Sequence, residues 1–143
     1  MGLESVGRLA HKRSQVHISY GSKRVMTEPA AEQFECVEVV ITAEDPEWLA
    51  NFTRHLVDDH VVACGHNIAP IRALYRWEGK VYDEAQARVG LHTRASLVPE
   101  IVARADPNHP DNVPCVIALP IAGGHEAYLQ WIYVETDAAS SAS

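Results

Sequence analysis

Cysteine is scarce in this chain. The three present among 143 residues, Cys36, Cys64 and Cys115, are odd in number and widely spaced, which excludes a disulfide framework, and no paired C-x-x-C marks a zinc fold. Each stands beside apolar or β-branched neighbours and reads as a small core residue. Thiols left free fit a reducing compartment, so a cytoplasmic location is expected. No run approaches the ~20 apolar residues needed to span a bilayer, and Met1 to Met26 lacks the apolar stretch of a secretory signal. There is no G-x-S-x-G elbow, P-loop or H-E-x-x-H helix, so no motif gathers a nucleophile, a base and oxyanion donors. A non-enzymatic protein is expected, without membrane partners.

What is present is acidic and unevenly arranged. The net charge is −7, yet residues 1–25 hold five Lys/Arg against the single acid Glu4, and the remaining chain holds seven Lys/Arg against eighteen acids. An acidic body argues against a nucleic-acid surface, and the strands lack the aromatic-rich signature of RNA-binding modules. Residues 1–34 have no sustained period and read as a mobile basic arm; their Arg- and Ser-rich, acid-poor start also fits an organelle transit peptide. Residues 35–137 read as one folded domain, and 138–143 as a small polar tail that frays.

Within the domain the periods change in order. Cys36 to Ala43 is a β-rich run. Asp45-Pro46 then supplies an N-cap and a first-turn proline, and Trp48, Leu49, Phe52, Leu56 and Val57 follow at helical spacing over 46–59. From Val61 to Thr93 the chain predicts a long hairpin. On its return arm Val81, Ala85, Ala87, Val89 and Leu91 alternate with Tyr82, Glu84, Gln86, Arg88 and His92, the period-two pattern of a strand with one buried face. Glu78-Gly79 makes the turn, and Pro70 requires a break, bulge or edge position in the outgoing arm. Ser96 is expected to cap a second helix bearing Leu97, Val98, Ile101, Val102 and Ala105, ended by Asp106-Pro107 and His109-Pro110. Val113 to Leu119 predicts a buried strand, and Tyr128, Leu129, Trp131 and Ile132 mark a closing helix. The order β-α-β-β-α-β plus a terminal helix is the α+β, ferredoxin-like arrangement, an antiparallel sheet with helices on one face.

Hairpin length predicts assembly. Arms of roughly 14 residues reach on the order of 45 Å at about 3.3 Å per residue. A domain of ~100 residues is only about 35 Å across. The outer end, with Leu74, Tyr75, Trp77, Val81 and Tyr82, is too apolar for a free two-stranded ribbon and calls for a neighbouring subunit.

Taken in order, several segments resemble the CutA family of divalent-cation-tolerance proteins. They are Thr42-Ala43-Glu44-Asp45, Val62-Ala63-Cys64, Tyr75-Arg76-Trp77-Glu78-Gly79-Lys80, His92-Thr93-Arg94, Leu97-Val98-Pro99, His109-Pro110, Val113 to Ile121 and Tyr128-Leu129-Gln130-Trp131. The resemblance covers about Val37 to Trp131. It implies a homotrimer with a role in tolerance of copper and other divalent ions. It also implies a fold-level analogy to the PII signalling trimers, which bind small molecules between subunits.

Candidate sites follow. His109 matches a histidine implicated in copper binding in some enterobacterial members, but their other two ligand positions are Asn108 and Ile41 here. Cu(II) or another divalent cation is therefore expected to bind weakly, through His109 with Asp111 or Cys64. Cys64 and His66, two apart on a strand, share a face and form a second candidate pair. Trp77, Glu78 and Lys80 at the hairpin turn are candidates for a cleft that takes a small ligand. The alternatives are a PII-like small-molecule sensor and a thiol–imidazole enzyme built on Cys64.

Overall fold

The computed structural model describes residues 16–17, 24–26 and 34–137. The elements are β1 (Val16–His17), β2 (Arg24–Met26), β3 (Cys36–Ala43), α1 (Pro46–Asp58), β4 (Cys64–Trp77), β5 (Lys80–Arg94), a 3-10 turn (Ala95–Leu97), α2 (Val98–Asn108), β6 (Val116–Pro120), β7 (Gly124–His125) and α3 (Glu126–Glu135). From β3 onward the order is βαββαβ with a terminal helix, the α+β ferredoxin-like fold. Among the described residues no helix is long and apolar enough to cross a membrane.

The main sheet has the order β4-β5-β3-β6 and is antiparallel throughout. The expected mobile arm lies outside the described residues except at β1, β2 and Phe34. There β1 pairs with β2, and β2 pairs with β7. The expected tail, 138–143, also lies outside them.

Local chemistry sets the first helix. The Asp45 carboxylate accepts the Glu47 N–H at 2.9 Å, and Pro46 occupies the first turn, where its missing donor is not required. Leu49, Phe52 and Leu56 then face the sheet and meet Val39, Ile41, Val89, Leu91 and Ile101 in the main core. A second, smaller core forms on the opposite face, where Leu129 and Ile132 of α3 cover Cys36 and Ala63. The sheet is thus covered on one face by α1 and α2, and at one end of the other face by α3.

Four expectations need correction. Ser96 caps nothing: it lies inside the 3-10 turn, and α2 starts after Leu97 with no side-chain cap. That helix runs past the first of its two expected stops, Asp106-Pro107, because the His109 N–H still reaches the Ala105 carbonyl at 2.7 Å, and it ends at Asn108, immediately before the second, His109-Pro110. The 113–119 run is apolar but not buried, since β6 is an edge strand with Ile117 52% exposed, and Cys115 beside it is exposed rather than core. Finally, the buried face of β5 is confined to its inner half, Ala87, Val89, Leu91 and Thr93, while Ala85 and Val81 face solvent.

The hairpin matches its expected outline. Glu78 (φ 48°) and Gly79 (φ 79°) form a two-residue turn in which both residues are left-handed, so glycine at the second position avoids a strained backbone. At Pro70 the ladder slips by one residue: Ile71 pairs with Gln86, but Ile68 pairs with Arg88. The proline sits on edge strand β4, where the missing N–H is tolerated.

Candidate functional site

Three adjacent strands place Glu38, His92 and Cys64 directly opposite one another, Glu38 with His92 across β3–β5 and His92 with Cys64 across β5–β4. All three project on the face away from α1 and α2. His66 follows Cys64 by two residues on the same face, opposite Gly90. A Cβ at Gly90 would lie 3.1 Å from the Glu38 carboxyl carbon, so glycine there leaves that carboxylate its place. From above, α3 lowers Tyr128 onto the row.

Hydrogen bonds order these groups. Glu38 Oε1 lies 2.8 Å from His92 Nε2, which assigns the ring proton to Nε2 and leaves Nδ1 with its lone pair. That nitrogen is 2.5 Å from the Tyr128 hydroxyl and 3.7 Å from Cys64 Sγ, and the hydroxyl is 3.3 Å from the same sulfur. The rings of His66 and His92 meet edge to face with centroids 5.2 Å apart. One ligand atom from each of Cys64, His66 and His92 can be chosen so that all lie within 4.8 Å of one another.

Electrostatics follow from this geometry. Burial pushes the Cys64 thiol up, but the thiolate is stabilised by the protonated form of His92, through an Nδ1–H bond and its charge, and by the Tyr128 hydroxyl; together these outweigh burial, and the thiol lies below its ordinary value. His92 is raised, first by its hydrogen bond with Cys64 and further by Glu38, against the opposing effect of burial. Tyr128 is pushed up by burial and by its bond to Cys64, so its phenol stays protonated. A partly exposed sulfur, two imidazoles and a carboxylate behind one of them form a donor set suited to a borderline cation. Thiol, imidazole and carboxylate in line also describe a cysteine nucleophile with its base.

Other sequence-predicted residues lie elsewhere. His109 is 6% exposed and wedged edge-on against Trp48, with ring centroids 5.0 Å apart. Its Nε2 bonds the Thr42 carbonyl at 2.8 Å, and its Nδ1 accepts the Asp111 N–H at 3.0 Å. Both ring nitrogens are therefore engaged, Nε2 in holding α2's end to β3 and Nδ1 in closing the turn that follows. The Asp111 carboxylate stands 3.9 Å from Nδ1. The structure does not bring this pair to Cys64: His109 anchors at Thr42 and His92 at Glu38, four residues apart on β3, or about 13 Å. Ile41, at one of the family's ligand positions, is buried in the main core.

Trp77 lines a groove of about 1040 Å³ with Trp48, Arg72, Tyr75, Glu84 and Asp111. Glu78 and Lys80 lie in the exposed turn at the hairpin tip. Sequence reasoning singled out Cys64 and His66 but missed His92, Glu38 and Tyr128. Their one visible signal was that His92 falls on the polar face of the return strand.

Comparisons with known proteins agree with this architecture. Residues 37–135 match the CutA1 divalent ion tolerance protein family. The chain is 30% identical over 120 residues to the chloroplastic protein CutA of Arabidopsis thaliana, a match covering 84% of this chain and 66% of that protein, just under two thirds. It is 31% identical over 98 residues to the divalent-cation tolerance protein CutA of Thermus thermophilus, covering 68% of this chain and 95% of the relative. The crystal structure of CutA1 from Oryza sativa superposes with a TM-score of 0.69 at 32% identity, covering 72% of this chain and 94% of that one.

Proposed function

We propose that this chain, which belongs to the CutA1 divalent ion tolerance family, acts without catalysis as a homotrimer that takes part in tolerance of copper and other divalent metals. The observation that carries the assembly is the outer hairpin. Leu74 is 62% and Val81 64% exposed, with Tyr75 stacked on Tyr82 beside them at 5.3 Å. These groups are at the end of a ribbon that a single subunit leaves uncovered, and such ribbons are marginal in water. On the opposite edge, Ile117 and Leu119 of β6 offer a second apolar stripe. Packing one subunit's hairpin against the next subunit's edge covers both.

A small ligand in the groove beneath Trp77 is the second reading, supported by the convergence there of Arg72, Tyr75, Glu84 and Asp111 on an aromatic floor. Three cysteines free of disulfides support a reducing compartment, which we take to be the cytoplasm. Light scattering on the full chain should return three times the 15.8 kDa subunit mass. A cell line lacking the chain should lose growth at raised divalent-metal concentrations and regain it on re-expression. A 15.8 kDa particle at micromolar concentration would remove the assembly, and unchanged metal tolerance would remove the role.

A further inference from the structure

The geometry points to a metal site at Cys64, His66 and His92, suited to a borderline divalent cation of the Zn(II) class, with Glu38 holding His92 in the ligand-presenting orientation. It deepens the divalent-ion reading above, yet it stands on the side chains of one subunit and needs no partner.

The donor set and its spacing agree. Bonds of about 2.0 Å to nitrogen and 2.3 Å to sulfur at a tetrahedral angle separate the two ligand atoms by roughly 3.5 Å. Cys64 Sγ and His92 Nδ1 stand 3.7 Å apart before any ion is placed between them. The third ligand, His66, is exposed and has its nearest ligand atom within 4.8 Å of both, so a small rotation of that side chain closes the set.

The outer shell agrees as well. A carboxylate on the far nitrogen of a metal-binding histidine fixes the tautomer and raises the basicity of the near nitrogen. Glu38 has that position, at 2.8 Å from Nε2, and Gly90 keeps the carboxylate's place open. Tyr128 supplies the hydroxyl that bridges sulfur and imidazole, at 3.3 and 2.5 Å. An incoming cation takes the lone pair that this hydroxyl now caps. Three protein ligands leave a fourth position for water or for the displaced phenol.

The test uses the full chain with Zn(II), competed against a chromophoric chelator, and Co(II) as the spectroscopic substitute. One ion per chain is expected, with a thiolate-to-Co(II) charge-transfer band. Cys64→Ser should remove the band and weaken Zn(II) at least about tenfold. His66→Ala, which alters an exposed side chain and leaves both cores untouched, should weaken Zn(II) while keeping the band. Glu38→Gln should weaken it by about 10–100-fold, and His109→Ala should leave it unchanged below its melting transition. Equal affinity in wild type, Cys64→Ser and His66→Ala overturns the site. So does a loss confined to His109→Ala, which returns the metal to the turn after α2. A trimer that binds no Zn(II) overturns the site and leaves the assembly standing, whereas a monomer that binds it does the reverse.

Discussion

The three thiols of this chain differ because their surroundings differ, and alkylation should separate them. Cys36 lies in the small core under α3, where burial pushes its thiol up to about 11 against the opposing Arg94 charge. Cys64 is lowered, because the bonds from His92 and Tyr128 more than offset its burial. Only the thiolate reacts, so a lowered value moves the rate profile toward acid. In the metal-free protein, Cys64 alkylation should reach half its maximal rate below the ordinary thiol value of ~8.5. Cys36 should stay unmodified until the protein is unfolded. Mass spectrometry of iodoacetamide-treated protein across pH reads both, and a Cys64 midpoint at or above the ordinary value would mean that His92 does not act on it. His109 makes a different point about residues. Its two ring bonds and its contact with Trp48 tie α1, β3 and the end of α2 together. His109→Ala should therefore cost about 1–3 kcal/mol in denaturant unfolding, the usual penalty for orphaned buried partners.

Strands and helices were legible where one face repeats and obscure where registers shift. Asp45-Pro46 and the spacing of Leu49, Phe52 and Leu56 announce α1 without help from the rest of the fold. The alternation in β5 announces a strand, but it does not say which residues oppose it. Counting back from the Glu78-Gly79 turn along an unbroken ladder would put Thr93 opposite Cys64. The one-residue slip between Ile68 and Ile71 puts His92 there instead, and a slip of one exchanges the faces of a strand. The Cys64–His92–Glu38 row thus depends on a bulge whose existence Pro70 suggested but whose size it did not. Ser96 misled for a related reason: a capping residue type earns its role only if the chain leaves it at the boundary, and here the 3-10 turn begins one residue earlier. Close packing of elements makes its own prediction at Gly65, where an added Cβ would stand 2.4 Å from Thr53 Cγ2 of α1. Gly65→Ala should destabilise by about 1–3 kcal/mol, the range for forcing a methyl into a packed contact. Thr53→Ser in the same chain removes the clashing methyl and should restore part of that loss in thermal melts. An unchanged melting temperature in Gly65→Ala would show that α1 sits less tightly on β4 than its geometry indicates.

At the scale of the whole molecule, the distribution of apolar surface is what a single subunit leaves unresolved. Ala87, Val89 and Leu91 bury the inner half of β5, but the same strand reaches outward to Val81 with no further core to enter. Leu74, directly across the ladder from Asp83, and Val81, across from Arg76, share one face of the ribbon. Each side chain is already about one third buried, so covering the rest would recover roughly 1–2 kcal/mol, and a symmetric assembly repeats that gain in every subunit. A charge placed there reverses the sign of the contribution, because an unpaired carboxylate in an apolar contact must be desolvated. Leu74→Asp combined with Val81→Asp should therefore reduce the proposed trimer to single subunits. Both positions lie outside the two cores, so circular dichroism of the separated subunits should still report the native helix and sheet content. Zn(II) affinity offers a second reading on the same variant. The Cys64 row lies at the other end of β4 from Leu74, beyond the bulge, and its ligands come from one chain. The monomeric variant should keep that affinity within about twofold, well inside the ~1.4 kcal/mol that marks a tenfold change. Retention of the trimer in the double variant would place the subunit contact on the β6 edge and α3 surface instead, where Ile117, Leu119 and Trp131 become the residues to charge next.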